Sequence, residues 1–79
     1  MDKYILISVR DREILTEKFE TLELAQQTMH KEMIERGKVP EGIFKNDTYE
    51  DSDCGFGKYS AWANDGLNHD DFDWLIVAL

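Results

Sequence analysis

The closing segment, residues 59–79, constrains the fold of this chain more than any other part of the sequence. It reads YSAWANDGLNHDDFDWLIVAL, in which two apolar runs, each with one tryptophan, flank a polar stretch rich in aspartate. Within that stretch, Asn64-Asp65-Gly66 is a combination that tight turns between antiparallel strands favour. The segment therefore predicts a β-hairpin with strands near 58–64 and 72–79 and an acidic tip.

The last strand of this hairpin, Trp74 to Leu79, is apolar at every position. An unbroken apolar run is typical of a central strand that is buried on both faces of a sheet. We expect Trp62 and Trp74 to lie opposite or diagonal to each other on the hairpin, because aromatic cross-strand pairs stabilise hairpins. Stacking against a ligand is the alternative role for these two side chains.

The first half of the chain predicts another hairpin and then a helix. Residues 3–9 and 13–19 read as two strands joined by a tight polar connection. Apolar residues then recur every three or four positions over 22–36, which predicts a helix with Thr21 as its N-cap. Gly37 is expected to end the helix in the left-handed conformation.

The predicted order is β-β-α-(loop)-β-β, an α+β fold in a single domain, 1–79. It has a four-stranded, mostly antiparallel sheet with one helix packed on one face. Residues 41–58 form the loop of this prediction. Because one helix covers only one face, either that loop or a second copy of the chain should cover the other face. A homodimer is therefore one expectation.

Negative charge is concentrated in the second half of the chain. Residues 1–38 hold eight acidic and seven basic residues, whereas residues 39–79 hold nine acidic residues and only two lysines. Such a surface repels nucleic acid and attracts cations or basic proteins. Solubility alone is the equal alternative explanation of this charge. The predicted partner-binding face comprises Asp47, Glu50, Asp51, Asp53, Asp65, Asp70, Asp71 and Asp73.

The same acidic segments could instead bind Ca²⁺ or a small ligand. Hard cations favour several oxygen ligands on loops, and Asn68 would add an amide oxygen to the second segment. Neither segment has the spacing of an EF-hand, which requires alternating ligands, a central glycine and a terminal glutamate. Calcium binding is therefore the alternative to partner binding and not the leading hypothesis.

Catalysis and transition-metal binding find little support in the sequence. Cys54 has three acidic residues close by, which raise a thiol pKa and suppress the reactive thiolate. His30, Cys54 and His69 lack the paired spacing of a zinc site, and periodicity places His30 on the exposed side of the helix. We predict a non-enzymatic protein with no catalytic residue, no metal and no cofactor.

Localisation follows from what the chain contains and lacks. No apolar run approaches the ~20 residues of a membrane-spanning helix, and the apolar stretch after Met1 is too short for a signal peptide. The single cysteine cannot form an internal disulfide. A cytoplasmic location is expected.

The closing hairpin also carries a resemblance. Ser60-Ala61-Trp62-Ala63-Asn64-Asp65-Gly66 followed by Asn68-His69-Asp70-Asp71-Phe72-Asp73-Trp74 resembles a group of small uncharacterised proteins of bacteria and their phages. That group implies no particular activity. In size and charge the chain also looks like phage anti-defence proteins, including anti-CRISPRs, many of which present acidic residues to a basic nucleic-acid channel. This likeness implies a host-defence inhibitor that binds a basic surface of a host protein, such as a nucleic-acid-binding effector.

Overall fold

The computed structural model describes residues 1–10, 13–64 and 71–79. In this part of the chain the elements follow one another as β1 (Tyr4–Arg10), β2 (Glu13–Phe19), α1 (Leu22–Glu35), a 3₁₀ turn (Glu41–Lys45), β3 (Tyr49–Glu50), β4 (Cys54–Phe56), β5 (Ser60–Asn64) and β6 (Asp71–Ala78). No helix in the described ranges is long and apolar enough to cross a membrane.

The predicted four-stranded sheet is wrong, because residues 41–58 contribute two further strands. The sheet has six strands in the order β2-β1-β6-β5-β4-β3, and every neighbouring pair is antiparallel. The order along the described chain is therefore β-β-α-β-β-β-β. Strands β3 and β4 are only two and three residues long. Segments this short contain too few alternations to give a periodic signal.

The other predicted elements are found with small shifts at their ends. Helix 22–36 corresponds to α1, and the four predicted strands correspond to β1, β2, β5 and β6. The Thr21 hydroxyl accepts a hydrogen bond from the backbone N–H of Leu24, as expected of an N-cap. These are the segments whose hydrophobic pattern extends over several periods.

One face of the sheet packs against α1 and carries the hydrophobic core. Helix α1 contacts β1, β2, β5 and β6, and its Ala25, Met29 and Met33 are completely buried. We call this side of the sheet the covered face. The strand residues that complete the core on this side are Leu6, Cys54, Phe56, Ala61, Ala63, Phe72, Trp74 and Ile76.

The opposite side, which we call the open face, has no described element packed on it. The 41–58 segment does not cover it, because β3 and β4 extend the sheet sideways and Ile43 of the 3₁₀ turn joins the core. The prediction that β6 is buried on both sides is therefore wrong for the single chain. Leu75 and Val77, on the open face, are 47% and 38% exposed.

The two tryptophans lie on opposite faces and not against each other. Strand pairing sets Trp62 opposite Asp73 and Ala61 opposite Trp74. Since neighbouring residues of a strand point to opposite sides, Trp74 enters the core while Trp62 lies on the open face. The expected pairing of Trp62 with Trp74 is wrong, because the strand register differs from it by one residue. Instead, the Phe72 ring stacks on Trp74, at 5.6 Å between centroids.

The end of α1 differs from the expectation in one respect. Lys38, and not Gly37, has the left-handed backbone conformation, with a φ of 59°. Gly37 is required for close packing instead, because a Cβ atom there would lie 2.8 Å from the Met33 carbonyl oxygen and 2.9 Å from the Ala63 Cβ. The glycine therefore lets the helix end approach β5.

Candidate partner-binding surface

The first acidic segment is a turn between β3 and β4 that is organised by Asp51. Its Oδ1 accepts hydrogen bonds from the backbone N–H groups of Asp53, at 2.7 Å, and Cys54, at 2.9 Å. Its Oδ2 accepts from the Tyr49 hydroxyl at 2.7 Å. An aspartate that binds backbone groups two and three residues ahead is a common way to fix a tight turn. Asp51 therefore shapes the surface on which its neighbours are displayed.

These hydrogen bonds also change the titration of both partners. The Tyr49 hydroxyl, followed by the two backbone donors, lowers the pKa of the Asp51 carboxyl. The same bond is the main reason that the pKa of Tyr49 is raised. Both shifts favour the ionised carboxylate and the neutral phenol near neutral pH. The turn thus keeps its negative charge while Asp51 is already engaged in three hydrogen bonds.

Backbone pairing brings this turn next to the second acidic segment. The N–H of Asn64, the last residue of β5, donates a hydrogen bond to the Asp53 carbonyl oxygen at 2.8 Å. Asn64 in turn pairs with Asp71, the first residue of β6. Asp53 and Asp71 therefore belong to the same end of the sheet although they are 18 positions apart in the sequence. We call this end, with Glu50, Asp51, Asp53, Asp71 and Asp73, the acidic end.

Of the eight predicted acidic residues, Asp51 organises the turn and Asp71 begins β6, and the other six divide into three groups. Glu50, Asp53 and Asp73 are exposed, and the strand register places Glu50 and Asp73 on the open face. Asp47 is exposed but precedes β3 at the outer edge of the sheet, so it is not part of the acidic end. Asp65 and Asp70 lie outside the described residues.

The covered face at the same end of the sheet carries positive charge, which the sequence did not predict. The guanidinium groups of Arg10 and Arg36 lie over the Phe72 ring, at 4.8 Å and 5.7 Å from its centroid. Strand alternation places Arg10 on this face, and Arg36 reaches it from the C-terminal end of α1. This end of the molecule therefore has an acidic open face and an arginine-bearing covered face.

A groove between α1 and the β1–β2 hairpin is the second polar feature of the covered face. Its volume is about 360 Å³, and Leu6, Ser8, Leu15, Thr16, Glu17, Glu32 and Arg36 line it. Glu32 Oε1 accepts hydrogen bonds from the Ser8 hydroxyl at 3.1 Å and from the Trp74 indole at 3.4 Å. Glu32 Oε1 also forms an i,i+4 ion pair with the Arg36 guanidinium, at 3.5 Å. One carboxylate thus joins the helix to two strands.

The remaining candidates for chemistry are built into the core. Cys54 is buried, and burial, followed by the nearby Asp51 and Asp53, raises the pKa of its thiol. His30 is half-buried, against the expectation that it is exposed, because it stacks on Phe44 at 4.4 Å and lies against Phe56. Burial lowers the pKa of His30. Within the described ranges, no group of three or more acidic, histidine or cysteine side chains is arranged to hold a metal ion.

No family model, curated protein or solved structure matches this chain. A functional interpretation therefore depends on the placement of its own residues.

Proposed function

We propose that the chain is a small, non-enzymatic interaction protein whose acidic end binds a basic surface of another protein. The observation that carries the proposal is the hydrogen bond from the Asn64 N–H to the Asp53 carbonyl oxygen. It makes two acidic segments, separate in sequence, parts of one end of the molecule. The acidic residues gathered there, in a half of the chain whose net charge is −7, make that end attractive to lysine- and arginine-rich surfaces.

The geometry of the turn supports binding of a macromolecule over binding of Ca²⁺. A calcium site requires six to eight oxygen ligands that converge on one point. Both oxygens of Asp51 already accept hydrogen bonds from the protein, and Glu50 and Asp53 point outward as exposed side chains. Exposed carboxylates on a rigid strand end are better suited to pair with several separate cations on a partner.

The class of partner that we propose is a basic protein that also binds nucleic acid. Such proteins carry dense positive charge where the phosphate backbone lies, and a folded acidic surface competes with nucleic acid for that site. A phage or mobile-element inhibitor of a host defence effector would use its acidic end in this way. This proposal extends the resemblance of the closing hairpin and the charge of the chain.

The test compares two double variants with the same change in charge. In the first, Glu50→Lys and Asp53→Lys reverse two exposed residues of the acidic end while Asp51 keeps the turn. In the control, Asp2→Lys and Glu20→Lys reverse two exposed residues at the opposite end of the sheet. Each tagged protein is incubated with bacterial lysate at low and at raised salt, and the retained proteins are then challenged with heparin.

A basic protein retained by the original chain and by the control, but not by the Glu50/Asp53 variant, is the expected result. Heparin and raised salt should release it, because both weaken contacts between exposed charges. Equal retention by all three proteins would contradict the proposal, since total charge and not the acidic end would then determine binding. Absence of any retained basic protein would contradict it as well.

A further inference from the structure

The open face carries one continuous apolar patch across three neighbouring strands. Ile7 lies beside Leu75, and Ile5 beside Val77, in the pairing of β1 with β6. Ile14 of β2 lies beside Val9 and is 65% exposed. Large apolar side chains that are clustered and exposed mark an interaction surface, whereas isolated ones do not. The patch consists of Ile14, Leu75 and Val77, which are exposed, and of Ile5, Ile7 and Val9, which are half-buried.

Charged side chains are sparse around this patch. Among the described open-face side chains of β1, β2 and β6, only Lys18 and Asp73 are charged, and both are exposed. These two side chains place one positive and one negative charge at the border of the patch, and Asp71, the first residue of β6, lies two positions before Asp73 in the sequence. An anionic membrane would find no excess of positive charge there.

The positions of these two charges are complementary to those of a second, rotated copy. Lys18 of β2 pairs with Ile5 of β1, and Asp73 of β6 pairs with Val9 of β1, so the two charges lie on the two strands that flank β1. They therefore occupy opposite corners of the patch, with Ile7 between them. A two-fold axis makes every contact reciprocal. With the axis close to Ile7, each Lys18 would face Asp73 of the other copy, and the apolar side chains would meet in between.

The size of the face is sufficient for such an interface. The chain is a slab of 39 × 30 × 16 Å, and the sheet forms one of its two broad sides. A specific interface typically buries about 800 Å² on each partner. The interface therefore extends beyond the patch over most of one broad side, including Trp62 of β5. Two stacked sheets would lie about 10 Å apart, as in a β-sandwich.

We propose that the open face is a homodimer interface, in which two copies stack their sheets and pair Lys18 with Asp73 reciprocally. The dimer has helices on its two outer sides and a second hydrophobic core between the sheets. This interface shares Asp73 with the acidic end. It requires no other protein, so the oligomeric state tests it separately from the binding proposed at Glu50 and Asp53.

Sedimentation equilibrium of the full chain, from low-micromolar to near-millimolar concentration, tests the interface. The expected particle has twice the 9.2 kDa mass of one chain. Leu75→Lys should give a monomer, whereas Leu24→Lys should remain a dimer, because Leu24 is equally exposed, at 46%, on α1. A wild-type chain that is monomeric at every concentration, or a dimer that survives Leu75→Lys, would overturn the proposal.

A charge exchange provides a second test that does not depend on the folding of Leu75→Lys. Lys18→Asp alone and Asp73→Lys alone should each weaken dimerisation by about tenfold, because each creates two like-charge contacts. The double variant restores both pairs with the signs exchanged, so dimerisation should recover. Failure of the double variant to recover would overturn the reciprocal pairing.

Discussion

The covered face and the open face are built from alternate residues of the same strands, yet only one of them is completed within the chain. Leu6, Trp74 and Ile76 are nearly inaccessible to solvent under α1. Their sequence neighbours Leu75 and Val77 remain exposed on the other side. Both sets are equally apolar, so hydrophobicity alone does not decide burial. What differs is whether another element of the fold reaches that face.

This difference separates stability from recognition. The covered face contains the core cluster, the Glu32 hydrogen bonds and the packed end of α1. The open face and the acidic end contain the residues available to other molecules. Substitutions on the covered face should therefore change the free energy of unfolding, whereas those on the open face should mainly change association.

The largest effect should come from removing a core side chain of the covered face. Met29→Ala deletes most of a completely buried side chain and should lower the free energy of unfolding by about 2–5 kcal/mol. That is most of the stability of a domain this small. Ile14→Ala is the matched open-face change and should cost less than about 1 kcal/mol in dilute solution. Urea denaturation measures the free energy of unfolding of both variants. Similar losses would contradict the difference between the covered face and the open face.

The next effect tests the close approach at the end of α1. Gly37→Ala places a Cβ against the Met33 carbonyl and the Ala63 Cβ, and such overpacking should cost about 1–3 kcal/mol. At Gly42 a Cβ would meet no atom within 4 Å. Gly42→Ala should therefore be neutral or slightly stabilising. Thermal unfolding of the two variants decides this, and equal melting temperatures would contradict the packing role of Gly37.

A smaller effect should follow from the loss of the Glu32 acceptor. Glu32→Ala leaves the Ser8 hydroxyl and the Trp74 indole without the carboxylate that accepts from them, at a cost of about 1–2 kcal/mol. Glu32→Gln retains a side-chain oxygen and should cost less. Glu35→Ala, on the exposed side of the same helix, is the control. The urea midpoint should be highest for Glu35→Ala, lower for Glu32→Gln and lowest for Glu32→Ala. Any other order would argue against this network.

The smallest expected effect is a pH dependence from His30. Burial lowers its pKa in the folded chain below the ordinary value of 6.5. As pH falls through that value, the unfolded chain takes up a proton that the folded chain does not, so the free energy of unfolding decreases. The decrease ends once folded His30 is also protonated. Below that pH the contribution is constant.

His30→Phe preserves a ring against Phe44 and Phe56 but cannot titrate. The variant should lose part of the decline in stability between pH 7.5 and pH 5.5 that the original chain shows, as measured by urea midpoints. His69 is present in both proteins and serves as an internal control. An unchanged pH dependence would show that the environment of His30 does not destabilise its charged form.

Sequence reasoning identified the elements whose patterns are long. Helix α1 and strands β1, β2, β5 and β6 each contain enough residues for their periodicity to be recognised. Strands β3 and β4 do not, and Cys54-Gly55-Phe56 contains no β-branched residue. Missing these two strands produced the wrong sheet. It also produced the wrong environment for His30, which depends on Phe44 and Phe56 of that segment.

The candidate surface was predictable in composition but not in arrangement. The acidic segments are visible in the sequence, whereas their contact depends on where β4 pairs with β5. The register of the closing hairpin was also undetermined, and a shift of one residue moved Trp62 to the other face from Trp74. Register is a property of pairing between strands, so it cannot be obtained from the periodicity of either strand alone.

The position of β6 has a consequence for synthesis of the protein. This strand lies between β1 and β5, and it pairs Ala78 with Tyr4. It is synthesised after the other five strands of the described chain, and until it emerges the β1–β2 hairpin and the β3–β5 segment have no described strand to join them. Contacts between such distant parts of a chain form slowly and all at once. The nascent chain therefore exposes its apolar surfaces until β6 has emerged, and chaperones can bind them in that interval.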